Sequence, residues 1–279
     1  MMSTTSELRR LAMLREMGLT PVWVTRDTPP IEAPLSDAQP SDAQPSDAQT
    51  MLQRTLQSAS KTTSTQAARS SPVVRSIDAD ADAEIDTRRA QIVQMDWPAL
   101  NAAVAACTAC GLHASRTQTV FGVGDVQADW MIVGEAPGAD EDRAGEPFVG
   151  QAGKLLDAML LALGLHRQKN VYIANVLKCR PPGNRNPEPA EVVRCAPYLS
   201  RQVALVQPKM ILAMGRFAVQ ALLGTEASIA SLRGRLHSYE GVPLVVTYHP
   251  AYLLRNLPEK AKAWQDLRLA WRTLENGAA

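Results

Sequence analysis

WMIVGEAPGADEDRAGEPFVGQAGKLLD, residues 130–157, decides the fold. WMIVGE (130–135) is a short, almost wholly apolar run, as a strand covered on both faces requires. It passes into a polar loop punctuated by Gly134, Gly138, Gly145 and Gly150. GQAGKLLD then opens a helical pattern over 150–163. Three further runs repeat the arrangement: VYIANVLK (171–178), MILAMG (210–215) and PLVVTYH (243–249). Helical patterns over 188–206, 215–223 and 258–275 separate or follow them, and 98–109 precedes them with Pro98 near its first turn. Strands too apolar for a half-exposed sheet, alternating with helices, predict a parallel sheet with helices on both faces. In such sheets a site forms at the carboxyl ends of the strands, where the polar motifs fall.

The first such loop matches neither the phosphate-binding GxxxxGK[ST] pattern nor a dinucleotide fingerprint. Its backbone can approach a ligand closely, and the helix start offers N–H donors. Phe148 is one of three phenylalanines in the chain. A planar ring in a polar loop suits stacking on a planar ligand; a glycine-rich connector without function is the alternative. Asn175 ends the second strand, and its amide offers a donor and an acceptor side by side, as reading a base edge requires; a turn-capping Asn is the plainer reading. The loop CRPPGNRNP (179–187) carries Arg180 and Arg185, which are candidate phosphate contacts or surface charges. His249 ends the last strand before Pro250, either structural or catalytic, and Arg255 follows as another candidate phosphate contact.

The four cysteines are Cys107, Cys110, Cys179 and Cys195. A C-x-x-C pair in a chain without a secretory signal points to metal rather than to a disulfide framework. Four thiolates suit zinc or a [4Fe–4S] cluster. A zinc ribbon normally has two C-x-x-C knuckles and this chain has one, which tilts the reading toward iron–sulfur. Four unrelated buried thiols remain the alternative.

The rest of the chain divides sharply. Residues 6–25 read as a short amphipathic helix ended by Gly18 and Pro21, so 1–26 forms a helical segment able to dock on an unknown partner. Residues 27–92 are rich in Pro, Ser, Ala, Gln and Asp, with SDAQ repeated at Ser36, Ser41 and Ser46. Such a stretch buries too little apolar surface to offset chain entropy and is expected to be a disordered linker. The globular domain spans 96–279. Residues 1–92 hold 10 Lys/Arg and 12 Asp/Glu, and 93–279 hold 19 and 16; this slight excess permits nucleic-acid binding without arguing for it. No apolar run reaches the roughly 20 residues a bilayer requires, and MMSTTSELRRLAML lacks the apolar core of a signal peptide, so a cytoplasmic chain is expected.

Taken in order, GEAPGADEDRAGEPFVG (134–150), NVLKCRPPGNRNPEP (175–189), HPAYLLR (249–255) and the four cysteines resemble the family-4, iron–sulfur uracil-DNA glycosylases, over roughly residues 100–275. The resemblance implies a three-layer α/β/α sandwich with a four-stranded parallel sheet. It implies hydrolysis of the N-glycosidic bond of uracil in DNA, with the base flipped into a pocket; the chain is expected to be a nucleoid-associated monomer. Phe148 would then stack on uracil, Asn175 would read its polar edge, and His249 would lie near O2, where negative charge develops. Glu135, Ala136 and Pro137 would line the pocket, and the segment from His249 to Arg255 would reach the DNA. Cys107, Cys110, Cys179 and Cys195 would hold a [4Fe–4S] cluster of structural role. The better-known branch of the superfamily carries an Asp in its first motif that handles the attacking water; Ala136 stands there here, leaving Glu135 as the nearest carboxylate to position water. A glycosylase for another deaminated base and a non-catalytic iron–sulfur or zinc DNA-binding protein are the competing readings.

Overall fold

A computed structural model describes residues 85–277 of the 279-residue chain. The expected helix within 1–26 and most of the expected linker lie outside the described residues. Its last part, 85–92, lies inside them and is no linker: residues 85–93 are helical, and Ile92, 2% exposed, joins the core. Arg88 lies over the Tyr198 ring, 4.8 Å from its centroid. The polar average of the window concealed one apolar residue with a socket to fill.

The strands are β1 (Val123–Gly124), β2 (Trp130–Gly134), β3 (Val171–Asn175), β4 (Met210–Met214), β5 (Leu236–Tyr239) and β6 (Val242–Thr247). They form one sheet in the order β1-β3-β2-β4-β6-β5. The four inner strands run parallel, as expected. Two antiparallel edge strands, β1 and β5, extend the expected four-stranded sheet to six. Every residue of β2, β3 and β4 is buried, because helices cover both faces.

Side chains alternate across the pleat and so divide between two cores. Met131, Val133, Tyr172, Ala174, Ile211 and Ala213 face one way. There they meet α1 (Trp97–Ala105), α4 (Pro189–Val206) and α5 (Arg216–Leu223). Trp130, Ile132, Val171, Ile173, Met210 and Leu212 face the other way, against α3 (Gln151–Ala162) and α8 (Glu259–Gly277). Each fully buried Leu, Ile or Met side chain contributes about 1.5–3 kcal/mol of transfer free energy. Short helices α2 (Ala139–Ala144), α6 (Ile229–Leu232) and α7 (Pro250–Arg255) lie in the connections.

Helix α1 begins where Asp96 accepts the Ala99 N–H at 2.9 Å, but it stops at Ala105 rather than running to 109. Arg116 explains the early end. Its guanidinium donates to the carbonyls of Ala105 at 3.1 Å and Cys107 at 2.9 Å, so those orphan acceptors need no further helical turn. Cys107 and Cys110 therefore sit in a bend before a 3-10 turn, Gly111–Ala114. Among the described residues no helix is long and apolar enough to cross a membrane.

Candidate active site

Parallel register sets the site. Gly134 pairs with Asn175 at the ends of β2 and β3, and Met214 pairs with Thr247 at the ends of β4 and β6. The loops leaving these ends enclose a cleft of about 920 Å³ lined by Glu135, Ala136, Pro137, Phe148, Asn175 and His249. Arg185 and Arg255 also line it. Arg180 does not stand among its lining residues; its Nε donates to Asn184 Oδ1 at 2.7 Å. Arg185, a candidate phosphate contact or surface charge, pairs with Glu191 and with Glu188 at the cleft's rim.

The aromatic wall is held under strain. Phe148 has a φ of 56°, a left-handed conformation costing a side-chain-bearing residue about 1–2 kcal/mol. Three features maintain it. Arg167 donates to the carbonyls of Phe148 at 2.8 Å and Pro147 at 3.3 Å, and Asp157 anchors its Nε at 2.8 Å. Glu141 accepts the N–H groups of Gly138, Val149 and Gly150 at 3.0, 3.1 and 3.2 Å, drawing both ends of the loop onto one carboxylate. Gly153 lets α3 pass beneath: a Cβ there would lie 1.7 Å from the Phe148 carbonyl oxygen.

Phe148, Asn175 and His249 converge. A Cβ on Gly134 would fall 2.4 Å from Asn175 Oδ1 and 2.6 Å from Phe148 Cζ. The rings of Phe148 and His249 are stacked at 26° with centroids 5.4 Å apart. Asn175 is 2% exposed, and its Oδ1 is buried without a hydrogen-bond partner. Leaving such an acceptor unpaired costs about 1–3 kcal/mol, so a ligand donor is the natural complement.

His249 caps α7, and its Nδ1 accepts the Ala251 N–H at 3.1 Å. With Nδ1 occupied as an acceptor, the ring proton of the neutral tautomer lies on Nε2. Burial lowers the imidazole pKa to about 4; the Glu141 carboxylate opposes the shift and Arg255 reinforces it. The ring is thus a neutral donor at physiological pH. Burial works the other way on Glu135, raising its pKa to about 7 against the opposing charge of Arg216.

Several lining residues escaped the sequence reading. Gly215 has a φ of 91° and lets the chain pass His249 closely, since a Cβ there would lie 3.0 Å from His249 Cβ. Arg216 and Phe217 follow it into the cleft, the guanidinium stacked 4.5 Å over the ring. The glycine after MILAM was the available signal.

Cys107, Cys110, Cys179 and Cys195 line a second, narrow cavity behind the loop of Asn175. Three of the sulfurs already accept hydrogen bonds: Cys179 from Arg116 Nη1 at 3.1 Å, Cys195 from the Lys178 N–H at 3.3 Å and Cys107 from Arg88 Nη2 at 3.5 Å. Burial raises the pKa of both Cys179 and Cys195. Among the described residues no group of three or more His, Cys, Asp or Glu is arranged to hold a single metal ion. Four thiols around one cavity, with N–H donors aimed at three of the sulfurs, are a donor set that zinc or a [4Fe–4S] cluster can take.

This combination of a doubly wound sheet and a cleft at its strand ends has a counterpart among known proteins. The model described as the uracil DNA glycosylase superfamily matches residues 121–268, and the chain belongs to that superfamily. Within it the similarity is to the type-4 branch. The chain is 46% identical over 159 residues to a type-4 uracil-DNA glycosylase of Archaeoglobus fulgidus, covering 54% of this chain and 79% of the relative. A type-4 enzyme of Thermotoga maritima is 45% identical over 152 residues, 54% of this chain and 79% of its own. One of Pyrobaculum aerophilum is 42% identical over 185 residues, 63% of this chain and 93% of its own.

Proposed function

We propose that this chain hydrolyses the N-glycosidic bond of uracil in DNA, releasing uracil and leaving an abasic site for excision repair. The observation that carries the reading is the unpartnered Asn175 Oδ1, set beside the Phe148 ring in a cleft of base-accommodating size. A base in a duplex must be extruded to enter. Uracil stacked on Phe148 presents N3–H to Asn175 Oδ1 and O4 to the amide N–H. Cytosine presents an acceptor at N3 and a donor at N4, which leaves groups on both sides unpaired.

As the bond between C1′ and N1 breaks, its electron pair moves into the uracil ring and charge gathers on O2. His249 donates from Nε2 to that oxygen. A neutral donor stabilises the leaving anion without first having to gain a proton, an effect of about 3–4 kcal/mol for one such group. The Glu135 carboxylate orients the water that attacks C1′ and takes up its proton, which Ala136 cannot do. Arg255, at the cleft's edge, meets the DNA backbone.

We assign Cys107, Cys110, Cys179 and Cys195 as ligands of a [4Fe–4S] cluster, whose contribution is to fasten the bend after α1, the loop after β3 and helix α4 together. Cys179 follows Asn175 by four residues, so that fastening steadies the base-reading loop. The activity is tested by incubating the protein with a uracil-containing oligonucleotide and cleaving with alkali. Strand scission at the uracil position is expected; an intact strand would overturn the reading.

A further inference from the structure

Lys178 is a charged side chain in the middle of the core. It is 1% exposed, on the turn between Asn175 and Cys179. A buried ammonium costs several kcal/mol unless its protons are well paired, and an apolar side chain of like volume is often the more stabilising choice. Lys178 lines the thiol cavity with Cys179 and Cys195, and Nζ makes two bonds of its own. Nζ donates to the backbone carbonyl of Asn175 at 2.8 Å and to Gln202 Oε1 at 2.6 Å. Gln202, fully buried on α4, is fixed in turn: its Nε2 donates to the Phe121 carbonyl at 2.9 Å and to the Tyr172 hydroxyl at 3.1 Å. A chain of buried bonds thus runs from helix α4 to the main chain of the residue whose side chain faces the cleft.

The neighbouring backbone is already secured. The Val176 and Leu177 N–H groups donate to the Gly134 and Glu135 carbonyls at 3.0 and 3.1 Å. Asn175 is the last residue of β3, and at its carbonyl the Lys178 ammonium supplies a charge-assisted bond, about twice as strong as a neutral one. Gripping that carbonyl fixes the main chain from which the Asn175 side chain projects, while the space over Gly134 and the Phe148 ring confine the amide itself.

We propose that Lys178 is a positioning residue for base recognition: with Gln202 behind it, it holds the Asn175 main chain where the side-chain amide reaches uracil N3–H. The proposal rests on the uracil-excision reading above. It is tested by single-turnover uracil release from an oligonucleotide by the native protein, Lys178→Met, Asn175→Ala and the double variant. Circular dichroism and iron content serve as checks on fold and cluster. The Lys178→Met protein is expected to lose about tenfold to a hundredfold in rate and to bind free uracil more weakly. In the Asn175→Ala background the same change should cost less than twofold, because nothing remains to be positioned. A Lys178→Met rate within twofold of native would overturn the proposal. So would losses that multiply in the double variant, as a merely structural lysine would give. If Lys178→Met lowers iron content or fails to fold, Gln202→Leu, which keeps the ammonium and removes its brace, takes its place in the same cycle: a loss confined to the Asn175 background is expected, and a native rate or multiplying losses would overturn the proposal. Excision by the native protein tests the function separately: its absence overturns both readings, whereas native excision with a near-native Lys178→Met rate overturns the lysine proposal alone.

Discussion

Gly134 is a residue on which the cleft's geometry presses closely. Its missing side chain is the space in which Asn175 Oδ1 and the Phe148 ring meet. Gly134→Ala is expected to reduce single-turnover uracil release by at least about a hundredfold, a few kcal/mol lost at the reacting centre, with circular dichroism unchanged. Glu135 sets the pH response. Its carboxylate form is needed to take the water's proton, and its pKa is raised to about 7 by burial, so the rate should rise with pH through that value. Glu135→Gln should flatten this limb, and an unchanged profile would remove Glu135 from the chemistry. The sign for stability is opposite. Between 4.5 and about 7 the folded chain holds a proton that the unfolded chain has released, so this group's contribution falls as pH rises. His249, lowered from 6.5 to about 4, contributes stability that grows with pH across that interval, and the two partly cancel. None of this was legible in the sequence beyond the residue types. An Asn, a His and a Glu at strand ends were visible; an unpartnered Oδ1 and an Nδ1 claimed by a backbone N–H are properties of the packed loops.

At the scale of elements, the loop from Gly138 to Gly150 is held by residues that its own motif does not identify. Arg167 comes from beyond α3 and bonds the carbonyls of two successive residues, Pro147 and Phe148. Arg167→Ala should lower the rate of uracil release about tenfold or more through Phe148, while costing roughly 1–3 kcal/mol of stability as carbonyls lose a partner; urea unfolding followed alongside single-turnover rate separates the two. The inner strands were readable because burial on both faces makes them continuous apolar runs. The edge strands were not: β1 has two residues, and LHSY in β5 alternates exposed and half-buried positions, too short and too polar to stand out. The early end of α1 was equally hidden, since it depends on Arg116 reaching back from 11 residues away. The helix at 85–93 shows the same limit, its one deeply buried contact being diluted by polar neighbours.

For the whole molecule, two cavities lie back to back across one loop. Asn175 faces the cleft, Cys179 faces the thiol cavity, and Lys178 stands between them. Cys195→Ser is expected to lower iron content, lower the thermal midpoint and weaken uracil release together, whereas a variant that kept its iron and its rate would detach the cysteines from the site. Leu156→Ala, in the opposite core and fully buried, should cost about 2–5 kcal/mol in urea unfolding yet leave the rate of the folded fraction near native. The layered fold and the converging strand ends could be anticipated because alternating apolar runs and helices admit few arrangements. The distances between the loops could not, since they depend on contacts separated by tens of residues.

Function turns on whether Phe148, Asn175 and His249 enclose one extruded pyrimidine. The most direct measurement is a crystal structure of the protein with free uracil, the reaction product. The ring should lie against Phe148, with N3 about 3 Å from Asn175 Oδ1 and O2 within hydrogen-bond distance of His249 Nε2. Uracil bound elsewhere, or in the cleft with its N3–H turned away from Asn175, would contradict this arrangement.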